Sequence, residues 1–398
     1  MNKEILHTEV QEFINSNLKS DINKLILKGS PFANISIQEL ANQIIAKQKS
    51  EKKLPTWFEA SHIYYPPKLS IEQTSSELTA AYKAQLVSGN SIIDITGGFG
   101  IDAYYFFKQF KEVTHCEINE ELSTIVAYNY EQLKAHHITT VAKNGLEYLD
   151  ENPQQYDCIY IDPSRRDDVK GKVFLLKDCL PNVPENIDFL FSKSNTILIK
   201  NSPVLDIKGT IDELRFVKEI HIVGVKNEVK ELLFLLEKGY EGVIRIKTIN
   251  LQKEDDQIFD FDFQEEASAS YSLPLHYLYE PNTAILKSGG FHQVAQKLQV
   301  AKLHQHSHLY TSNEYIDFPG RSFIIKKVIP FDKKQLKKEI PNLKANITTR
   351  NFPISVAEIR KKTKLKEGGN LYLFFTTNLE NKHIIIICEK YIPLAIKQ

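Results

Sequence analysis

At 398 residues the chain is too long for one ordinary hydrophobic core, and two or three domains are expected. Hydrophobic content of 42% and charged content of 25% are those of a soluble globular protein, and no segment approaches the roughly 20 apolar residues that span a bilayer. Lys+Arg and Asp+Glu are equal at 50 each, so net charge identifies no partner and only its distribution is informative.

Met1 to Lys28 carries scattered charges and nothing resembling a signal peptide. The four cysteines (Cys116, Cys158, Cys179, Cys388) lack CxxC spacing and read as buried free thiols, Cys179 in a helical stretch; a cytoplasmic location is expected. From Asn2 to Lys47 apolar residues recur at spacings of three and four, which predicts a helical region over residues 1–86. From Ser91 the rhythm changes to short apolar runs alternating with amphipathic stretches, the mark of a parallel α/β sheet over 87–250. Strands are expected at Ser91–Ile95, Glu112–Cys116, Thr139–Lys143, Tyr156–Ile161, Thr196–Lys200, Glu219–Val225 and Gly242–Ile249. Helices are expected at Ile101–Phe110, Glu120–His136, Val173–Leu180, Ile207–Val217 and Glu228–Lys238. An acidic stretch from Glu254 to Glu266 reads as a solvated linker and opens a mixed region, 251–320, with a helix near Phe291–Leu303. A small α+β module, 321–398, closes the chain, with strands at Ser322–Ile329, Leu371–Thr376 and His383–Cys388. Its helices are expected at Asp332–Glu339 and Val356–Thr363.

The loop after the first strand, Asp94-Ile95-Thr96-Gly97-Gly98-Phe99-Gly100, ends an apolar strand and opens a helix around Asp102. Its glycines let the backbone approach a ligand closely. Gly98-x-Gly100-x-x-Ala103 also passes as a dinucleotide fingerprint, so the loop alone fits either S-adenosylmethionine or NAD. Glu117, after the second strand, can hold ribose hydroxyls of either. The fourth strand decides, because it runs straight into Asp162-Pro163-Ser164-Arg165-Arg166. Proline cannot continue a central strand, so the chain turns out where ligands sit. Class I methyltransferases carry an Asp-Pro turn there, and dehydrogenases need none. Asn144, in Lys143-Asn144-Gly145, stands where adenine is usually contacted, and a turn role fits it equally.

The sequence resembles bacterial class I methyltransferases with a C-terminal THUMP-like domain. The resemblance is carried by Glu72-Gln73-Thr74-Ser75-Ser76, Asp94 to Asp102, Asp162 to Arg166, Lys200-Asn201-Ser202-Pro203, Phe318-Pro319-Gly320-Arg321 and Arg350-Asn351-Phe352-Pro353. It implies a Rossmann-like seven-stranded core, S-adenosylmethionine as cofactor, a small ferredoxin-like segment, a THUMP-like end, and RNA (tRNA or rRNA) as substrate. The expected cofactor contacts are Asp94, Thr96, Gly98, Gly100, Asp102, Glu117, Asn144 and Asp162.

Carbon-5 methylation of a pyrimidine needs a cysteine beside the fourth- or fifth-strand turn. Those places hold Ser164 and Asn201-Ser202-Pro203, so direct, non-covalent transfer to nitrogen is favoured over carbon. Asp162, Pro163, Ser164 and Arg165 are the catalytic candidates. No aromatic follows the proline to stack an adenine or cytosine. Arg165 and Arg166 can stack on a base or grip phosphate, or else pair with Asp167 and Asp168. Lys200 and Ser202 are expected to face the same cleft, and Gln73 and Ser75 to close over the cofactor.

Between Arg321 and Lys366 fourteen cations stand against three acids, an electrostatic footprint for a polyanion. Arg321 and Arg350 are the expected RNA contacts of this module. His304, His306 and His308 alternate as on one strand face, where a polar face is favoured over a metal site. Other readings are a SAM-binding RNA adaptor that has lost catalysis, and a methyltransferase acting on DNA or protein. Oligomeric state is not readable from the sequence.

Overall fold

Ile92 and Ile93 are wholly buried on opposite faces of Ser91–Asp94, which makes this run a central strand, β1. The computed structural model describes residues 1–165 and 175–392. The described chain forms two units, Met1–Glu219 with Glu231–Gly242, and Ile220–Lys230 with Val243 onward.

In the first unit β1 pairs in parallel with β2 (Glu112–Cys116) on one side and β4 (Cys158–Ile161) on the other. Beyond β2 lies β3 (Ile138–Val141), and beyond β4 lies β5 (Thr196–Asn201), also parallel. Next along the chain come β6 (Val217–Val225), of which Ile220 onward belongs to the second unit, and β7 (Glu228–Glu237), which pairs antiparallel with β5, Thr196 opposite Glu237. The strands of this unit run in the order β3-β2-β1-β4-β5-β7. The carboxyl ends of β1, β2, β4 and β5 share one edge, the place where such sheets bind ligands.

Two expectations need correction in this unit. Glu228–Lys238, expected as a helix, is the strand β7, with Leu232, Leu233 and Phe234 all at 0% exposure. The expected helix Val173–Leu180 is, where described, a turn at Leu176–Asp178 and a short strand Cys179–Leu180. A helix runs instead over Val183–Lys193, capped by Asn182 with Pro184 in its first turn.

Six helices precede β1: Thr8–Ser16, Ile22–Lys28, Ile37–Lys53, Pro55–Glu59, Lys68–Gln73 and Glu77–Gln85. They attach to the core through buried contacts. Trp57 meets Tyr104 edge to face at 4.8 Å. The Glu77 carboxylate accepts from the Thr56 N–H and hydroxyl and from the Tyr105 hydroxyl.

The second unit contains β8 (Arg245–Leu251) and β9 (Gln257–Asp262), an antiparallel pair. The acidic stretch therefore contains a strand, β9, and is not a simple linker. Phe259 and Phe261 face inward, while Asp260 and Asp262 face outward and bind Arg245. The expected strand Gly242–Ile249 corresponds to β8.

Seven further strands form one sheet: β10 (Tyr277–Pro281), β11 (Ala301–Lys302), β12 (Tyr310–Ser312), β13 (Gly320–Pro330), β14 (Asn346–Arg350), β15 (Leu371–Thr377) and β16 (His383–Lys390). Their order is β11-β12-β10-β13-β16-β15-β14. Helices Lys333–Glu339 and Val356–Thr363 lay Leu336 and Ile359 onto a core with Leu373, Phe375 and Ile385. The run from Leu303 to Ser307 is a turn, not the expected strand. His304 there accepts at Nδ1 from the His306 N–H and bonds Asn351 and Asn381. Among the described residues no cluster of His, Cys, Asp or Glu is placed to hold a metal. No described helix is long and apolar enough to cross a membrane.

Candidate active site

The glycine loop leaves β1 at Asp94, whose Oδ1 accepts from the Thr96 N–H at 2.9 Å and the Thr96 hydroxyl at 3.3 Å. Asp94 is 1% exposed. Burial pushes its carboxyl well above the usual range, the Thr96 N–H opposes this, and the charges of Asp102 and Asp162 add to it. Gly98 has φ +55°, and a Cβ there would lie no nearer than 4.0 Å to the protein. Packing thus does not demand this glycine, and the space over the loop is open to a ligand. Gly100 has φ +78° and opens helix Ile101–Phe107; a Cβ there would stand 2.2 Å from the Tyr130 hydroxyl.

Glu117 lies beside this loop. Its Oε2 accepts from the Gly98 N–H at 2.9 Å and its Oε1 from the Asn119 N–H at 2.7 Å. Each oxygen keeps a lone pair for a ribose hydroxyl. Loop and carboxylate together fit the nucleoside half of S-adenosylmethionine. Asn144 is the N-cap of helix Gly145–Glu151, with Oδ1 accepting from the Leu146 N–H at 2.9 Å, so its side chain is engaged by its own helix.

At the end of β4 the Asp162 N–H donates to the Thr96 hydroxyl at 2.7 Å, fastening the Asp-Pro turn to the glycine loop. The Asp162 side chain is 34% exposed, and its Oδ2 accepts from the Lys200 ammonium. Lys200 therefore meets the expected cleft through Asp162. Burial works to lower the Lys200 pKa, and the carboxylates of Asp162, Glu231 and Asp102 outweigh it, so the net shift is upward. Pro163 is buried, Ser164 pairs with Leu180 and Arg165 with Cys179 in a two-residue ladder. Ser202 is half-buried in the turn after β5. Arg166 lies outside the described residues.

Three expected cofactor neighbours take other places. Asp102 turns inward: its Oδ2 accepts from the Ser75 hydroxyl at 2.9 Å and the Tyr160 hydroxyl at 2.8 Å. Its Oδ1 lies 3.2 Å from the Lys83 ammonium. Ser75 is buried in the same cluster and Gln73 is exposed. Burial raises the Asp102 pKa, and Lys83, Lys200 and the two hydroxyls reverse that to a net lowering.

The sequence reading missed the hub of this cluster. Lys83, wholly buried, also donates to both carboxylate oxygens of Glu231 at 2.9 Å and to the Ser75 hydroxyl at 3.0 Å. Nothing local marks either residue, since Lys83 sits in a helix and Glu231 in a strand 148 residues away. All four cysteines are buried thiols. Burial pushes Cys116 up to about 12 and Cys158 higher still, so neither is a ready nucleophile.

Arg321 and Arg350, expected on RNA, both bind Glu280. Arg321 Nε donates to Glu280 Oε2 at 2.7 Å, and Arg350 lies 2.7 Å from Oε1. The Glu280 side chain is 3% exposed, and the two arginine side chains are 38% and 35% exposed. Lys333, Lys334, Lys337, Lys338, Lys361, Lys362 and Lys364 are exposed on the two helices and just after the second.

Residues 277–319 match a family described as a ferredoxin-like domain, and residues 320–390 one described as THUMP domain-like. The crystal structure of a protein from Porphyromonas gingivalis W83 assigned as a methyltransferase is 32% identical. The match covers 98% of this chain and 99% of that one, with a TM-score of 0.87. An rRNA methylase from Streptococcus thermophilus is 13% identical over 40% of this chain and 94% of its own, TM-score 0.30. TrmK of M. capricolum, solved with S-adenosyl-homocysteine, is 17% identical over 41% and 68%, TM-score 0.30. No curated protein matches. The full-length similarity, the sheet order and the two C-terminal matches place this chain in the family of class I S-adenosylmethionine methyltransferases that end in a ferredoxin-like and a THUMP-like domain.

Proposed function

We propose that the protein methylates a nucleotide in RNA, tRNA or rRNA, by direct transfer to nitrogen. The observation that carries this is Asp162, a partly exposed carboxylate tied through Thr96 to the glycine loop. S-adenosylmethionine, when bound, supplies an electrophilic methyl group. Asp94, Thr96, Gly98, Gly100 and Glu117 would hold it, with Asn144 at the edge. Asp162 Oδ1 and the Pro163 carbonyl would accept hydrogen bonds from the amino or ring N–H of the target. That aims the nitrogen lone pair at the methyl and takes up the positive charge that grows on nitrogen. As the N–C bond formed, the methyl–sulfur bond would break with the neutral thioether as leaving group, and the nitrogen's proton would pass to Asp162 or to water. Ser164, Arg165, Arg166 and Ser202 would serve as substrate contacts.

RNA as the substrate is supported by the basic Arg321–Lys366 segment in a THUMP-like domain. Incubation of total RNA with tritiated S-adenosylmethionine, then mass spectrometry of the labelled nucleoside, tests the proposal. A methylated nitrogen on one nucleotide is expected. Cofactor binding without label in any RNA fraction would support the adaptor role instead, and label in DNA or protein would move the substrate class.

A further inference from the structure

We propose that Lys200 is a positioning residue for Asp162, locked in that role by a buried run of alternating charges that begins in the N-terminal helices at Lys83. The inference rests on Asp162 being the acceptor for the target nitrogen.

Asp162 needs an external hold. Its main chain is fixed through Thr96, but its carboxylate sits at the end of a turn and is 34% exposed. Left alone, such a side chain samples several rotamers. Lys200 captures Oδ2, which leaves Oδ1 as the remaining acceptor. One carboxylate oxygen thus serves the protein and the other is free for substrate.

Lys200 is in turn held from behind. Its side chain is 14% exposed. The β5–β7 pairing sets Lys200 opposite Leu233, two residues from Glu231 on the same face of the sheet, and the carboxylates of Glu231 and Asp102 act on it along with Asp162. Lys83 sits on the far side of the same two carboxylates, 2.9 Å from Glu231 and 3.2 Å from Asp102. The charges therefore run Asp162, Lys200, then Glu231 with Asp102, then Lys83. If Lys200 swung away, Lys83 alone would face two buried carboxylates, which is strongly unfavourable. A surface ion pair imposes no such constraint. The run draws on five parts of the first unit: the helix holding Lys83, the helix after the glycine loop, the turn after β4, β5 and β7.

The test uses the full-length protein, total RNA from cells lacking this chain, and tritiated S-adenosylmethionine. In Lys200→Ala, kcat should fall about 100-fold, as a small misplacement of a reacting group does, while the Kd for S-adenosylmethionine by calorimetry stays within about threefold. Ethylammonium added to that variant should restore activity in a saturable way, ethanol should not, and Asp162→Ala should gain nothing from either. Lys200→Ala with kcat within about twofold of the parent overturns the inference, and so does a folded, inactive variant that no alkylammonium rescues. If Lys200→Ala gives no cooperative melt, Lys200→Arg decides. A tenth or more of parental kcat supports the role, and a kcat as low as that of Asp162→Ala overturns it. Full activity in Asp162→Ala would instead remove the reading on which the inference rests, an outcome distinct from active Lys200→Ala beside inactive Asp162→Ala.

Discussion

Lys83 stands 2.9 Å from both carboxylate oxygens of Glu231, and the two side chains are 0% and 3% exposed. A helix that precedes the cofactor-binding sheet is thereby tied by charge to that sheet's antiparallel strand. Lys83→Met would leave the buried Glu231 and Asp102 facing Lys200 alone, which Asp162 already engages, and a cost of about 3–5 kcal/mol is expected. Urea unfolding of the full chain measures it. A change below about 1 kcal/mol would show that the pair contributes little.

Gly98→Val and Gly100→Ala should fail in different ways. Gly98 has open space over it, so a side chain there obstructs the ligand and adds about 1–2 kcal/mol of left-handed backbone strain. Gly100 has the Tyr130 hydroxyl in the path of any Cβ, so the loss falls mainly on the fold. Calorimetric titration with S-adenosylmethionine should show binding at least about tenfold weaker for Gly98→Val in a protein that still melts cooperatively. Gly100→Ala should show chiefly a lowered Tm.

His115 gives the first unit an acid-sensitive stability. It is 0% exposed at β2, and burial lowers its pKa from 6.5 to about 4. The unfolded chain therefore binds the proton more readily between those values. This contribution is complete above pH 6.5 and is lost as pH falls toward 4. For this one group the loss between pH 7 and pH 5 is about 2 kcal/mol. Urea melts at the two pH values should show that component in the parent and not in His115→Leu.

Glu280 should make Arg321 and Arg350 strongly non-additive. Either Arg→Gln change leaves the carboxylate one guanidinium and should cost about 1–2 kcal/mol. Both together strand a carboxylate at 3% exposure and should cost about 3–5 kcal/mol or more. Chemical denaturation of the two single variants and the double variant gives the coupling directly.

The exposed lysines should govern the salt dependence of RNA binding. Neutralising Lys333, Lys334, Lys337 and Lys338 should flatten the plot of log Kobs against log salt by roughly 0.7–0.9 for each phosphate that no longer meets a lysine. Filter binding at several salt concentrations reads that slope. An unchanged slope would place the RNA on another surface.

The glycine loop and the Asp-Pro turn were legible as backbone features in sequence because each depends on residues adjacent in the chain. β7 was not. Leu232, Leu233, Leu235 and Leu236 fall at helical spacings, yet the strand is flanked by β5 and β6 and has no polar face to reveal a period of two. β9 was masked by its acids, although Phe259 and Phe261 do alternate with Asp260 and Asp262. The helix Val183–Lys193 was hidden by prolines that in fact begin it. Asp102 was read as a ligand contact because it follows a glycine loop. Its true hydrogen-bond partners, Ser75 and Tyr160, lie 27 and 58 positions away on other elements, and no local pattern encodes such a meeting.

β10 pairs with β13 from Tyr277–Ile324 through Pro281–Gly320, so the ferredoxin-like and THUMP-like segments share one sheet. Two stretches recognisable as separate units of descent are a single unit of folding. A chain cut at Gly320 would expose the hydrogen-bonding edge of β10 and remove both arginines from Glu280. Loss of RNA binding in such a truncation would report a broken sheet as readily as a missing surface. Evolution faced the same restriction: a THUMP-like end transplanted to another enzyme must bring Tyr277–Pro281 with it, or find another strand to cover the edge.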